Sequence, residues 1–63
     1  MKVRDVLKRL RDEGWYVDRE SGSHRILKHP GKPGIIVVAG HPRKDLPAGT
    51  LRHICEQAGW GDT

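Results

Sequence analysis

The sequence predicts one α+β domain over residues 1–63, with the element order α-β-β-β-α. Two segments, one near each end of the chain, repeat apolar residues at the helical spacing i, i+3, i+4, i+7. Three short strand-like segments lie between them and are separated by turns rich in Gly, Pro and Ser. We therefore expect a three-stranded antiparallel sheet with two helices on one face, which leaves the other face open to solvent or to a partner.

The two predicted helices have the same pattern. The first covers residues 2–13 and carries the apolar stripe Val3, Val6, Leu7 and Leu10. The second starts near Pro47, which suits a first helical turn, and carries the stripe Leu51, Ile54, Cys55 and Ala58. A glycine, Gly14 or Gly59, should end each helix in the left-handed conformation. The tryptophan after each glycine, Trp15 or Trp60, is expected to pack on the core.

The strands are predicted from alternation and from β-branched residues. Residues 15–20 should place Trp15 and Val17 on one face, and Tyr16, Asp18 and Glu20 on the other. After the turn at 21–23, residues 24–28 should place His24, Ile26 and Lys28 on one face, and Arg25 and Leu27 on the other. Residues 29–34 read as a turn, residues 35–39 as the third strand, and residues 40–49 mainly as a loop.

The charge is concentrated in the middle of the chain. The net charge is +4, and residues 21–44 carry five Lys or Arg and no acid. Such a field attracts a polyanion, most plausibly nucleic acid, although a solvated basic surface is the plainer alternative. The single cysteine fits a reducing compartment. Neither a signal peptide nor a membrane-spanning run is legible, so we expect a cytoplasmic protein with no membrane partner.

His24 is the candidate for acid–base chemistry. It follows the turn Ser21-Gly22-Ser23, where a backbone can approach over the glycine, and it shares a face with Lys28. A histidine ordinarily titrates near pH 6.5, so it can move a proton at neutral pH when a 2′-hydroxyl attacks a phosphodiester. Arg25, Lys28 and Lys44 are the candidates for holding the phosphate. On spacing alone, a surface histidine that merely pairs locally remains an alternative.

The other candidate residues carry weaker signals. His29 and His41 each precede a proline, and either is a candidate for the second proton transfer or a plain turn residue. His53 reads as an exposed helical residue, and Tyr16 as a candidate for contact with RNA or a partner protein. The spacing of the histidines and Cys55 matches no compact zinc pattern, so we predict no metal site and no cofactor.

Three segments resemble a known family in order along the chain: "GSHRILKHP", "IVVAGHP" and "KDLPAGTLRHICEQAG". Together with the opening helix that ends in "GW", they are similar to the HicA-type toxins of bacterial toxin–antitoxin systems over about residues 2–60. The resemblance implies a double-stranded-RNA-binding-domain-like fold and ribosome-independent cleavage of mRNA. It also implies a catalytic histidine in a Gly-Ser-His motif, here Gly22, Ser23 and His24, and neutralisation by a HicB-type antitoxin. The family motif often continues with a second histidine, and here Arg25 stands at that position.

Two other functions are compatible with the same fold. The domain is expected to be an endoribonuclease toxin, but a non-catalytic RNA-binding module or an antitoxin-docking module would show the same helices and strands. Cleavage of single-stranded RNA separates the first function from the other two. Salt-dependent binding of RNA separates the second from the third, because phosphate contacts weaken steeply with salt.

Overall fold

The computed structural model describes residues 1–61 and has the predicted element order. The helices are α1 (Val3–Asp12) and α2 (Ala48–Ala58), and the strands are β1 (Tyr16–Ser21), β2 (His24–His29) and β3 (Lys32–Ala39). The strands form one antiparallel sheet in the order β1-β2-β3, so β2 is central. No helix within residues 1–61 is long and apolar enough to cross a membrane.

The helices bury their predicted stripes against one face of the sheet. Val3, Val6, Leu7 and Leu10 of α1 are buried, as are Ile54, Cys55 and Ala58 of α2, and Leu51 is half-buried. They meet the sheet residues Leu27, Ile36 and Val38, each fully buried. Burial of this apolar surface is the main force that holds the two layers together. The other face of the sheet is open, as predicted.

Glycine and tryptophan end each helix as expected. Gly14 and Gly59 have φ angles of 99° and 75°, the left-handed region in which a glycine has no Cβ to clash. Trp15 N–H then donates to the carbonyl of Leu10, and Trp60 N–H donates to that of Cys55, both at 2.9 Å. Trp15 is buried in the core, and Trp60 packs against its edge. The backbone thus turns sharply back after each helix.

The predicted alternation of β1 is wrong beyond Val17, because the strand contains a bulge. Val17 pairs with Leu27, but Arg19 pairs with Ile26, so Asp18 is an extra residue. An inserted residue moves every later side chain to the other face. Glu20 therefore pairs with Arg25 on the helix side of the sheet, where alternation from Tyr16 had placed it on the open side.

The third strand is longer than predicted. It starts at Lys32, so the turn after β2 is much shorter than the predicted residues 29–34. Pro33 and Gly34 are tolerated because β3 is an edge strand with an irregular register beside Leu27 and His29. The proline and glycine content of residues 29–34 was interpreted as a signal that interrupts the strand. At the edge of a sheet, however, a proline need not donate a backbone hydrogen bond to a neighbouring strand.

The loop between β3 and α2 is held against the start of α1. The carbonyl of Lys44 accepts from Val3 N–H, and that of Pro42 accepts from Arg4 N–H, both at 2.9 Å. Leu46 N–H donates to the Met1 carbonyl, and the Leu46 side chain is buried in the core. The first amides of a helix have no partner within the helix, so the loop satisfies them. This contact fixes the backbone that carries Lys44.

Candidate functional site

His24 begins the central strand and faces the open side of the sheet. It pairs with Ser21 of β1 and Ala39 of β3, and its side chain is exposed. Directly opposed residues in an antiparallel pair share a face. The buried pair Leu27 and Ile36 lies on the helix side, so the alternate residues of β2, His24, Ile26 and Lys28, lie on the open side. The predicted sharing of one face by these three residues is confirmed.

The turn before His24 leaves room above it. Gly22 has a φ of 57°, and a Cβ built there would meet no atom within 4 Å. Ser23 is the last turn residue, and its carbonyl accepts from Gly40 N–H at 3.1 Å, which fastens the turn to the end of β3. A bulky polymer can therefore reach His24 over the glycine, and the backbone beneath it is fixed.

A groove of about 540 Å³ runs from His24 to the loop before α2. Its walls are Ser23, His24, Val37, Ala39, Gly40, Lys44, Asp45, Leu46, Pro47 and Thr50. The fold thus brings Lys44 to the same groove as His24, although 20 positions separate them in the chain. Asp45 and Thr50 were not among the predicted site residues. No motif in the sequence singled out either residue: Asp45 lies just beyond the acid-free segment, and Thr50 lies at the start of the second predicted helix.

Lys28 lies on the open face but has an acidic neighbour. Its Nζ is 3.5 Å from Asp18 Oδ2, and both side chains are partly exposed. Tyr16 pairs with Lys28 across the strands and is also exposed. The bulge at Asp18 places this carboxylate beside the lysine. The positive field of the open face is therefore weaker around Lys28 than the charge of the segment 21–44 suggests.

Arg25 lies on the opposite side of the sheet from His24. It pairs with the buried Val38, and its side chain is 11% exposed. Its Nη1 donates to the carbonyls of Ser23 at 3.3 Å and Gly40 at 3.1 Å. The structure therefore does not bring this candidate phosphate ligand to the open face with His24, Lys28 and Lys44.

His29 is also separated from His24. Its Nδ1 accepts from Gly31 N–H at 2.9 Å, so the proton of a neutral ring lies on Nε2, which donates to the carbonyl of Glu13 at 2.9 Å. The ring packs edge-on against Trp15 with the centroids 5.3 Å apart. Both ring nitrogens are occupied by the backbone, and the structure does not bring this residue into the groove.

His41 and His53 are exposed in different places. The Nδ1 of His41 accepts from Arg43 N–H at 3.1 Å in the turn that leads to Lys44. His41 is next to the groove residue Gly40 but is not among the groove walls. His53 lies on the solvent side of α2, as predicted. Within residues 1–61, no group of three or more His, Cys, Asp or Glu is positioned to hold a metal ion.

Fold and site together define a small basic α-β-β-β-α domain with a fold like that of double-stranded-RNA-binding domains, with His24 and Lys28 on its open sheet face and Lys44 on the adjoining loop. The family model described as the HicA toxin of bacterial toxin–antitoxin systems matches residues 3–60. The chain therefore belongs to the HicA toxin family and is a toxin of a toxin–antitoxin system. Proteins of this family are generally ribonucleases. No curated protein matches the chain.

Proposed function

We propose that this toxin is a metal-independent endoribonuclease that cleaves mRNA in the cytoplasm, with His24 as the catalytic residue. The proposal rests on one observation above all. In a chain of the HicA family, the histidine after Gly22 and Ser23 is exposed at the start of the central strand and lines a groove that also contains Lys44. Lys44 gives this groove a cation for a phosphodiester beside the imidazole, whereas Asp45 on the same wall offsets the overall charge of the groove.

The reaction is an internal transesterification. The 2′-oxygen attacks the adjacent phosphorus, the bond from phosphorus to the 5′-oxygen breaks, and the products carry a 2′,3′-cyclic phosphate and a 5′-hydroxyl. One proton leaves the 2′-hydroxyl and one reaches the departing 5′-oxygen, so no metal or external reactant is needed. His24 carries one of these transfers, because an imidazole can accept or donate a proton near neutral pH.

The remaining candidate residues divide by position. Lys44 in the groove holds the reacting phosphate and offsets the charge that develops on its oxygens, and Lys28, about 13 Å farther along β2, holds another phosphate of the RNA strand. His41 is the candidate for the second proton transfer because its ring is exposed beside the groove. The two backbone hydrogen bonds of His29 argue against this role for that residue.

Cleavage by the purified toxin in EDTA tests the activity. We expect single-stranded RNA to be cut at an unchanged rate in EDTA, with 2′,3′-cyclic phosphate ends, and 2′-O-methylated RNA to resist. Cleavage that stops in EDTA and returns with Mg²⁺ would contradict the metal-independent reaction. Binding without cleavage would favour the RNA-binding module, and absence of salt-dependent binding would favour the docking module.

We also propose that a HicB-type antitoxin covers the open face and blocks His24. The support is apolar surface in and beside the groove: Val37, a groove wall, is 43% exposed, and Ile35, two residues before it on β3, is 42% exposed. Such residues stabilise an interface when a partner excludes water from them. We expect Val37→Asp to abolish co-purification with a HicB-type antitoxin that is co-expressed with the toxin. The control His53→Asp adds the same charge on α2 and should retain the complex, so equal loss in both variants would contradict this interface.

A further inference from the structure

The residue next to His24 occupies an unusual position for an arginine. Arg25 is mostly buried on the helix side of the sheet, where arginines are rare unless their charge is paired. We propose that Arg25 is a positioning residue that fixes the backbone around His24, not a ligand of the RNA phosphate. This inference rests on the proposed ribonuclease function and assigns that site a supporting residue.

The guanidinium joins the two chain segments that flank His24. Its Nη1 donates to the carbonyl of Ser23, the residue before His24, at 3.3 Å. It also donates to the carbonyl of Gly40 at 3.1 Å, the residue after Ala39, which is the partner of His24 on β3. Gly40 N–H in turn donates to the Ser23 carbonyl at 3.1 Å. Two of these hydrogen bonds thus connect the start of β2 to the end of β3, and the third holds the Arg25 side chain against Ser23 at the same point.

The bulge in β1 supplies a carboxylate for this guanidinium. Because Asp18 is an extra residue, Glu20 falls opposite Arg25, and its Oε2 is 3.8 Å from Arg25 Nε. Glu20 is largely exposed, so this ion pair contributes little by itself. The ion pair instead orients the arginine. With the Glu20 carboxylate on the Nε side, the favoured rotamer of Arg25 is the one in which Nη1 faces the carbonyls of Ser23 and Gly40.

The two carbonyls belong to residues that line the groove. Ser23 and Gly40 line it with His24 and Lys44, and Gly40 also begins the loop that carries Lys44. Loosening this junction would change the position of the imidazole relative to a bound phosphate. A displacement of about 1 Å can reduce a reaction rate about 100-fold. A phosphate ligand would instead affect RNA affinity and its dependence on salt.

The test compares Arg25→Met with Lys44→Met. Single-turnover cleavage at saturating RNA gives the cleavage rate. RNA binding, measured in a His24→Ala background at several salt concentrations, gives the affinity and its dependence on salt. We expect Arg25→Met to lower the saturated rate about 10- to 100-fold, with RNA affinity within about two-fold and an unchanged salt slope. Lys44→Met should weaken binding and reduce the salt slope by about 0.7, the value for one lost contact on a single strand.

Two results would overturn the inference. One is a reduced salt slope for Arg25→Met with a normal rate at saturating RNA, which is the behaviour of a phosphate ligand. The other is full activity of Arg25→Lys, because a lysine keeps the charge but ends one bond short of Nη1, the atom that donates to both carbonyls, and has no Nε to face Glu20. If Arg25→Met does not fold, Arg25→Lys decides, and a loss of saturated rate with unchanged affinity supports the proposal.

A physical measurement separates this inference from the proposed function. If the parent protein does not cleave RNA, the ribonuclease proposal fails, but hydrogen exchange of the Gly40 amide still reports on the junction. We expect Arg25→Lys to speed exchange of Gly40 at least ten-fold and to shift the His24 ring signals, with the buried strand residue Ile36 unchanged. Unchanged exchange at Gly40 with unmoved His24 signals would refute the positioning role.

Discussion

Removal of the carboxylate beside Lys28 should strengthen the binding of RNA. Asp18 Oδ2 lies 3.5 Å from Lys28 Nζ, so a phosphate oxygen bound to the far side of that ammonium would lie about 6 Å from the carboxylate. Two unit charges of the same sign repel at this distance by roughly 0.7 kcal/mol in water. Asp18→Asn should therefore tighten RNA binding about three-fold, or more where protein lowers the local dielectric constant.

The control for this variant is Asp12→Asn. Asp12 Oδ2 is 3.0 Å from Lys8 Nζ on α1, which packs on the opposite face of the sheet. Both substitutions raise the net charge by one, so they share any long-range attraction. The assay is fluorescence anisotropy of a labelled single-stranded RNA, with both variants made in a His24→Ala background. We expect Asp18→Asn to increase the affinity for RNA more than the control does, and the increase to diminish with salt. Equal affinities in the two variants would refute the assignment of RNA to this face.

Two further predictions concern stability, each measured by urea unfolding. Leu27 is fully buried on the central strand, so Leu27→Ala should lower the free energy of unfolding by about 2–5 kcal/mol, and a loss below about 1 kcal/mol would contradict its place in the core. Gly14→Ala should destabilise more than Gly22→Ala, although both glycines have positive φ angles. A Cβ at Gly14 would lie 2.8 Å from His29 Nε2, whereas one at Gly22 meets no atom within 4 Å. Equal losses in the two alanine variants would argue against the contact between His29 and the end of α1.

Local periodicity was sufficient to predict most of the fold. The apolar stripes of both helices and the alternation in β2 each depend only on the residue spacing within one element, and these predictions are confirmed. The bulge at Asp18 and the early start of β3 at Lys32 depend on how strands pair, which no single segment encodes. Proline and glycine at residues 33–34 were interpreted as breakers because the edge position of β3 was not known.

The candidate site could be predicted only in part, for the same reason. Alternation placed His24 and Lys28 together, but Lys44 reaches the groove through a loop fixed by the amides of α1. Asp45 was missed because it lies one residue beyond the acid-free segment. Alternation also placed Arg25 on the opposite face from His24, but its charge and its position next to His24 kept it among the predicted phosphate ligands, and the structure does not bring it to the open face.

The most direct test of the catalytic role of His24 is a pair of single-turnover cleavage rates. His24→Ala removes the exposed imidazole of the groove, and His53→Ala removes an exposed imidazole from α2. General acid–base catalysis contributes about 10²- to 10⁴-fold. With single-stranded RNA at saturation in EDTA, we expect His24→Ala to lose at least about 100-fold in rate and His53→Ala to remain within about two-fold of the parent. Cleavage by His24→Ala at the rate of the parent protein would contradict the proposal.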